Sequence, residues 1–168
     1  GIIPQDGSVT SLLDFCFEAT NITTARIPTG VTKIPPNAFA WCQSLTDLTL
    51  SSSLTVLDAT CFAWCSNLKE VELPSGLTDI RTYVFDSCAL ENVVIPASVN
   101  NLLSHSFGDM STLKSVTFEK KLDADGNIIA PYIHPEAFKN SGNSEGHMRH
   151  NNQHNRRCYH QKYERTDS

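Results

Sequence analysis

The most reactive side chains of the sequence stand in the stretch CFAWC, at positions 61–65. Two cysteines four apart, with Phe62 and Trp64 between them, suit three chemistries. They could bind a metal as thiolates, form a redox pair, or fill a core as small soft groups. The spacing of the chain's six cysteines separates these readings. Cys42, Cys65 and Cys88 lie 23 residues apart and are followed in the same phase by Met110. Methionine in that slot points to a buried apolar group, because a zinc site needs four convergent donors. Cys61 shares its phase with Ala38, Val84, Ser106 and Ala137, so small size is the common demand there. Buried thiols are therefore expected. A disulfide between successive cysteines fits on distance, but parallel neighbouring side chains rarely offer the required dihedral. Cys16 falls near the N-terminal edge and Cys158 in a polar tail.

The other candidate residues form no catalytic or cofactor constellation. KLDADGNII (121–129) has the look of a calcium loop, but an EF-hand needs acids where Lys121 and Tyr132 stand. Asp125-Gly126 reads instead as the turn of a short β-hairpin. His105 and His134 lack Ser and Asp companions fixed by motif, and there is no G-x-S-x-G, P-loop or G-x-G-x-x-G. Asp58, Asp79 and Asp86 fall at loop or exposed repeat positions and are expected as solvated charges. Asn21-Ile22-Thr23 is a glycosylation sequon, meaningful only in a eukaryotic secretory pathway. The expectation is a non-enzyme without metal or cofactor. Catalysis would need a deep pocket with convergent polar groups, and only the 119–136 stretch leaves room for one.

The element that positions these residues is a repeat. CFAWC has copies at AFAWC (38–42) and VFDSC (84–88), with SFGDM (106–110) and a further start at Ala137-Phe138. Phe39, Phe62, Phe85, Phe107 and Phe138 follow one another at spacings of 23, 23, 22 and 31. Other apolar columns keep this phase: Leu45, Leu68, Leu90 and Leu113; Leu48, Val71, Val93 and Val116; Ile34, Leu57, Ile80 and Leu102. A partial copy precedes them, with Ile22, Ala25 and Ile27 in the strand columns and Cys16 where Phe would sit. The V-x-[LI] piece alternates with period two and predicts a short strand that Pro then ends. The V-T-x-I piece predicts a second short strand, and the A-F-x-x-C piece a single helical turn. No unit can bury its own apolar residues, so the units must stack, each column on its copy about 4.8 Å away. The reading is an α/β solenoid of about five 22–23-residue repeats, with short parallel strands and single-turn helices. Its domain spans 1–139, with a repeat core at 20–118 and an interrupted repeat at 119–139 that carries the hairpin.

These blocks resemble a known family. Leu45-x-x-Leu48-x-Leu50 and Leu68-x-x-Val71-x-Leu73 match the core of leucine-rich repeats. The 23-residue period, the AFxxC block and the segments ELPSGLTDI (72–80) and VIPASVNNL (94–102) resemble the BspA-like, Treponema pallidum type of leucine-rich repeat. The resemblance implies a right-handed solenoid with one parallel sheet on a concave face. It also implies a secreted or surface-attached protein of a bacterium or protist, acting in adhesion to other proteins or cells. The unit around SCALENV and the insertion after Phe118 depart from the family pattern.

If Leu48 and Leu50 point inward, Asp47 and Thr49 point outward, and the same offsets give Glu70 and Glu72, Asn92 and Val94, and Ser115 and Thr117. Thr24 and Arg26 extend this row. These eight positions are the candidate protein-binding surface; a plain solvated sheet face is the alternative. Residues 1–138 carry a net charge of −8, which argues against a nucleic acid partner. No stretch approaches the roughly 20 apolar residues of a membrane span. The chain begins at Gly1 rather than Met, as a processed chain or a fragment does. Residues 140–168 are polar, out of phase and rich in His, and are expected to be disordered, a cloning remnant or out-of-frame translation. The expected function is non-catalytic protein binding at the cell surface or outside the cell; the alternative is a spacer within a longer repeat protein.

Overall fold

The computed structural model describes residues 3–142. Nine short strands follow one another: β1 (Thr24–Arg26), β2 (Lys33–Ile34), β3 (Asp47–Thr49), β4 (Val56–Leu57), β5 (Asp79–Ile80), β6 (Asn92–Ile95), β7 (Asn101–Leu102), β8 (Ser115–Phe118) and β9 (Tyr132–Ile133). All pair in parallel, as β2-β4-β5-β7-β9 on one side of the coil, and as β1-β3 and β6-β8 on another. Each step of the register is one repeat: Ile34 faces Leu57, Leu57 faces Ile80, and Ile80 faces Leu102. The longer step from Leu102 to Ile133 keeps the same register, because the extra residues leave the stack. They form the antiparallel bridge between Leu122 and Ile128, turned at Gly126, whose φ is +82°.

A column of phenylalanine rings runs through the core. Phe17, Phe39, Phe62, Phe85, Phe107 and Phe138 stack with centroids 5.0, 5.2, 5.6, 5.3 and 5.4 Å apart. The four middle rings are fully buried. Each contributes about 1.5–3 kcal/mol by burial and about 0.5–1.5 kcal/mol by stacking. The first coil corrects the sequence expectation: Phe17, not Cys16, occupies the ring position, and Cys16 is exposed.

The A-F-x-x-C segments are not helical turns, and no helix occurs among the described residues. Two features prevent one. Every fourth residue adopts positive φ, as at Asn37 (56°) and Trp41 (61°), or Thr60 (57°) and Trp64 (60°). The backbone donors also alternate: Ala38 and Ala40 bond back to Pro35 and Asn37, whereas Asn37, Phe39 and Trp41 donate to Ala59, Cys61 and Ala63 of the next coil. An α-helix would turn its donors back to carbonyls four residues earlier, or leave those of its first turn free. Here three of the five join coil to coil, so the turn side is itself a ladder.

The V-T-x-I strands owe their threonines to a similar device. Thr55 donates both N–H and hydroxyl to the Thr32 carbonyl, one coil earlier, and Thr78 donates its N–H to the Thr55 carbonyl. The opposite side is less regular. The expected strand at 71–73 is absent, and the single sheet is split into β1-β3 and β6-β8. Among the described residues no backbone hydrogen bond joins Glu70–Leu73 to either neighbour. Glu70 lies one repeat from Asp47, and Glu72 two residues on, so like charges meet where the ladder would close.

Candidate functional site

The eight sequence-selected positions lie on two of these sheet pieces and on the segment between them. Asp47, Thr49, Glu70, Glu72, Asn92 and Val94 are exposed, and Ser115 and Thr117 are half-buried. Registers Thr24–Asp47 and Arg26–Thr49 in β1-β3, and Asn92–Ser115 and Val94–Thr117 in β6-β8, set them in two stripes. Alternation does this: Ala25, Val93 and Val116 between them are buried. Polar contacts are few. Arg26 lies 3.9 Å from Asp47, and Ser115 donates to Asn92 Oδ1 at 2.7 Å. Among the described residues neither Glu70 nor Glu72 has an ion pair or a hydrogen bond.

The cysteines serve architecture. Cys42, Cys61, Cys65 and Cys88 are free and buried. Burial pushes the Cys61 and Cys88 thiols well above their ordinary value. The slot asks for more than softness. Cys42, Cys65 and Cys88 donate through Sγ to the carbonyls of Phe17, Phe39 and Phe62, at 3.0, 3.2 and 3.1 Å. Ser141 repeats the contact, donating to the Phe107 carbonyl at 2.6 Å, while Met110 at the intervening rung has no such proton. Asn140–Gly142 thus close the last coil, so the polar tail starts no earlier than 143; the tail, with Cys158 and its His, lies outside the described residues.

Two aspartates expected in solvent are buried. Asp58 sits 2.5 Å from Lys33 Nζ and 3.3 Å from Arg81 Nη1, so one carboxylate ties three coils together. Burial pushes its carboxyl up, but hydrogen bonds from Lys33 and the Ala59 N–H, with the Arg81 charge, hold it below its ordinary value. Asp58 and Arg81 stand one repeat apart, a signal legible in the sequence. Asp86 is buried in the column of Ala40 and Ala63, over Gly108; a Cβ on that glycine would lie 2.6 Å from Asp86 Oδ1. Ser87 donates to its other oxygen at 3.1 Å, and Oδ1 has no partner among the described residues. Burial raises its carboxyl, and the Asp109 charge adds to this. Asp79 is half-buried and accepts from Thr78 and Asn101, each at 2.7 Å.

His105 and His134 are both engaged in local contacts. His105 stacks on Tyr83 at 4.6 Å, with Nδ1 2.8 Å from Ser104 Oγ. His134 Nδ1 accepts from the Glu136 N–H at 3.1 Å. In 121–129, Asp123 accepts from the N–H groups of Asp125 and Asn127, which uses its carboxylate within the hairpin. No group of three or more His, Cys, Asp or Glu suited to a metal occurs among the described residues. Nor is any helix there long and apolar enough to cross a membrane.

The fold is similar to that of two solved leucine-rich repeat proteins and one vaccine antigen. A leucine rich repeat protein of T. pallidum superposes with a TM-score of 0.66 at 30% identity, over 69% of this chain and 56% of that one. A Bacteroides ovatus leucine-rich repeat protein gives 0.62 at 27% identity, over 64% and 28%. The pneumococcal vaccine antigen PcpA, at 19% identity, shares the fold, with 0.62 over 81% and 34%. The chain thus spans about half the length of the treponemal structure and about a third of the other two. Among curated proteins nothing matches the chain. The family model described as BspA type leucine rich repeat region matches residues 2–88 and 32–152, in six copies. Coil-by-coil register, the ring column and this match agree: the chain belongs to the BspA type leucine rich repeat family.

Proposed function

We propose that the chain is a non-catalytic protein-binding module, at the cell surface or outside the cell, and that its outward sheet row contacts a basic protein surface. Proteins of this family generally serve as interaction modules and are typically non-catalytic. The observation that carries the reading is the unpaired state of Glu70 and Glu72, exposed at the centre of the row beside Asp47. Two carboxylates without internal partners keep their charge for a partner, and they repel phosphate backbones. The test is a pull-down from matrix or partner-cell extract, with the wild-type chain and with Glu70→Lys/Glu72→Lys. Selective loss of the captured proteins in the double variant supports the row. Unaltered capture removes that surface from consideration.

A spacer role is the second reading. The turn-side ladder ends with the Phe138 and Asn140 N–H groups, which have no partner among the described residues and which a following coil would use. A chain that captures nothing, yet gains stability when further repeats are appended, would favour it.

A further inference from the structure

The turn segments carry an outward column of Ala19, Trp41, Trp64, Ser87, Asp109 and Asn140, all at positive φ between 48° and 61°. Five of them donate their N–H to the next coil in the same way: Ala19 to Ala40, Trp41 to Ala63, Trp64 to Asp86, Ser87 to Gly108 and Asp109 to Lys139. One backbone geometry therefore aims the column in one direction. Trp41 and Trp64 show the consequence, with rings 4.6 Å apart and within 6° of parallel. The stack stops at the next rung. Ser87 has no ring, and its hydroxyl turns to Asp86 Oδ2. One rung further stands Asp109, exposed, with Oδ1 held by Asn140 Nδ2 at 2.8 Å.

A gap one rung deep thus separates an aromatic face from a carboxylate. Rungs lie about 4.8 Å apart. A flat group in the gap would stack on Trp64 as Trp41 does on the other side, and would reach Asp109. A guanidinium satisfies both ends, by cation–π stacking and by ion pairing. An ammonium has no plane to stack, and a neutral ring leaves the carboxylate unused. The nearby cation is already engaged: Lys139 is held by Glu136 at 2.9 Å, and Asp109 has no ion pair among the described residues. We propose that the gap at Ser87 is a docking slot for an arginine side chain of a partner protein, stacked on Trp64 and paired with Asp109. The slot uses no residue of the sheet row and stands or falls separately from it.

Both tryptophans of the chain are in this stack, so intrinsic fluorescence reports on it directly. The full chain is titrated with a blocked Gly-Arg-Gly peptide and with its lysine, citrulline and tyrosine counterparts. A saturable change is expected with the arginine peptide, about tenfold weaker binding with lysine, and none with citrulline or tyrosine. Asp109→Asn weakens arginine binding about three- to fivefold. Ser87→Trp, followed by calorimetry, abolishes it by filling the gap. That variant keeps the fold, because Trp already stands at two rungs with the same φ. Glu70→Lys/Glu72→Lys leaves the titration unchanged. A response to citrulline or tyrosine equal to that for arginine, or undiminished binding in Asp109→Asn and Ser87→Trp, overturns the proposal.

Discussion

Asp58 and Asp86 show how one residue type takes opposite roles in adjacent repeats. Asp58 is buried with two cations, so removing its charge strands Lys33 and Arg81 beside each other. Asp58→Asn should cost about 1–3 kcal/mol at neutral pH in urea unfolding. The folded carboxyl titrates below its ordinary 3.8, so this stabilisation is complete at neutral pH. It is lost as the pH falls below that value, and wild type and variant should converge there. Asp86 behaves in reverse. Its carboxyl is raised above the ordinary 3.8, so its penalty is absent in acid and grows as the pH rises through the raised value. Asp86→Ala, which restores the residue of Ala40 and Ala63, should stabilise the chain by about 1 kcal/mol at neutral pH, with a smaller gain in acid. Gly108→Ala should cost about 1–3 kcal/mol through the contact with Asp86 Oδ1, and much less in the Asp86→Ala background. A double-mutant cycle read by urea midpoints checks both.

At the scale of elements, the two sides of each coil are held differently. The turn side and the V-T-x-I side have continuous ladders, whereas the side bearing the outward row is interrupted at Glu70–Leu73. Amides without acceptors exchange from local openings, while laddered amides need larger ones. Amide exchange read by NMR should be fastest at Glu70, Val71, Glu72 and Leu73, and at least tenfold slower at Val93 and Thr117 of the β6-β8 pair. Equal protection at both places would mean that the interruption does not persist in solution. The strand pattern V-x-[LI] is present at 71–73, and its apolar phase places Leu73 in the core. Periodicity cannot report whether the ladder closes, because that depends on charges one repeat away. The A-F-x-x-C piece failed as a helix for a related reason. Its apolar spacing suits a helical turn, but the donors are drawn to carbonyls of the next coil.

Over the whole molecule, stability is shared between neighbouring coils, since each coil touches the one before and the one after. The hairpin at 121–129 lies outside this sharing; Leu122 and Ile129 are exposed, and β9 pairs with β7 in normal register beyond it. Deleting residues 121–128 turns the 31-residue step into the common one of 23. The chain should keep its far-ultraviolet spectrum, with a change in unfolding free energy under about 1 kcal/mol, because loop length alone enters weakly. A collapse of the last coil would show that the hairpin templates it.

The sequence alone determined the repeat length, the core columns and which residues face outward, because burial against a copy of oneself leaves a period that can be counted. It also placed the thiol column of Cys42, Cys65 and Cys88 in the core, through Met110. Only the tertiary structure decided that Phe17 starts the ring column, that the turns are ladders rather than helices, and that the outward sheet is split. It decided, too, that Asp58 and Asp86 are buried and that Trp41 and Trp64 stack face to face. Each of these depends on a partner one coil away, and such a pairing is fixed only when backbone donors, charges and ring faces compete for the same space.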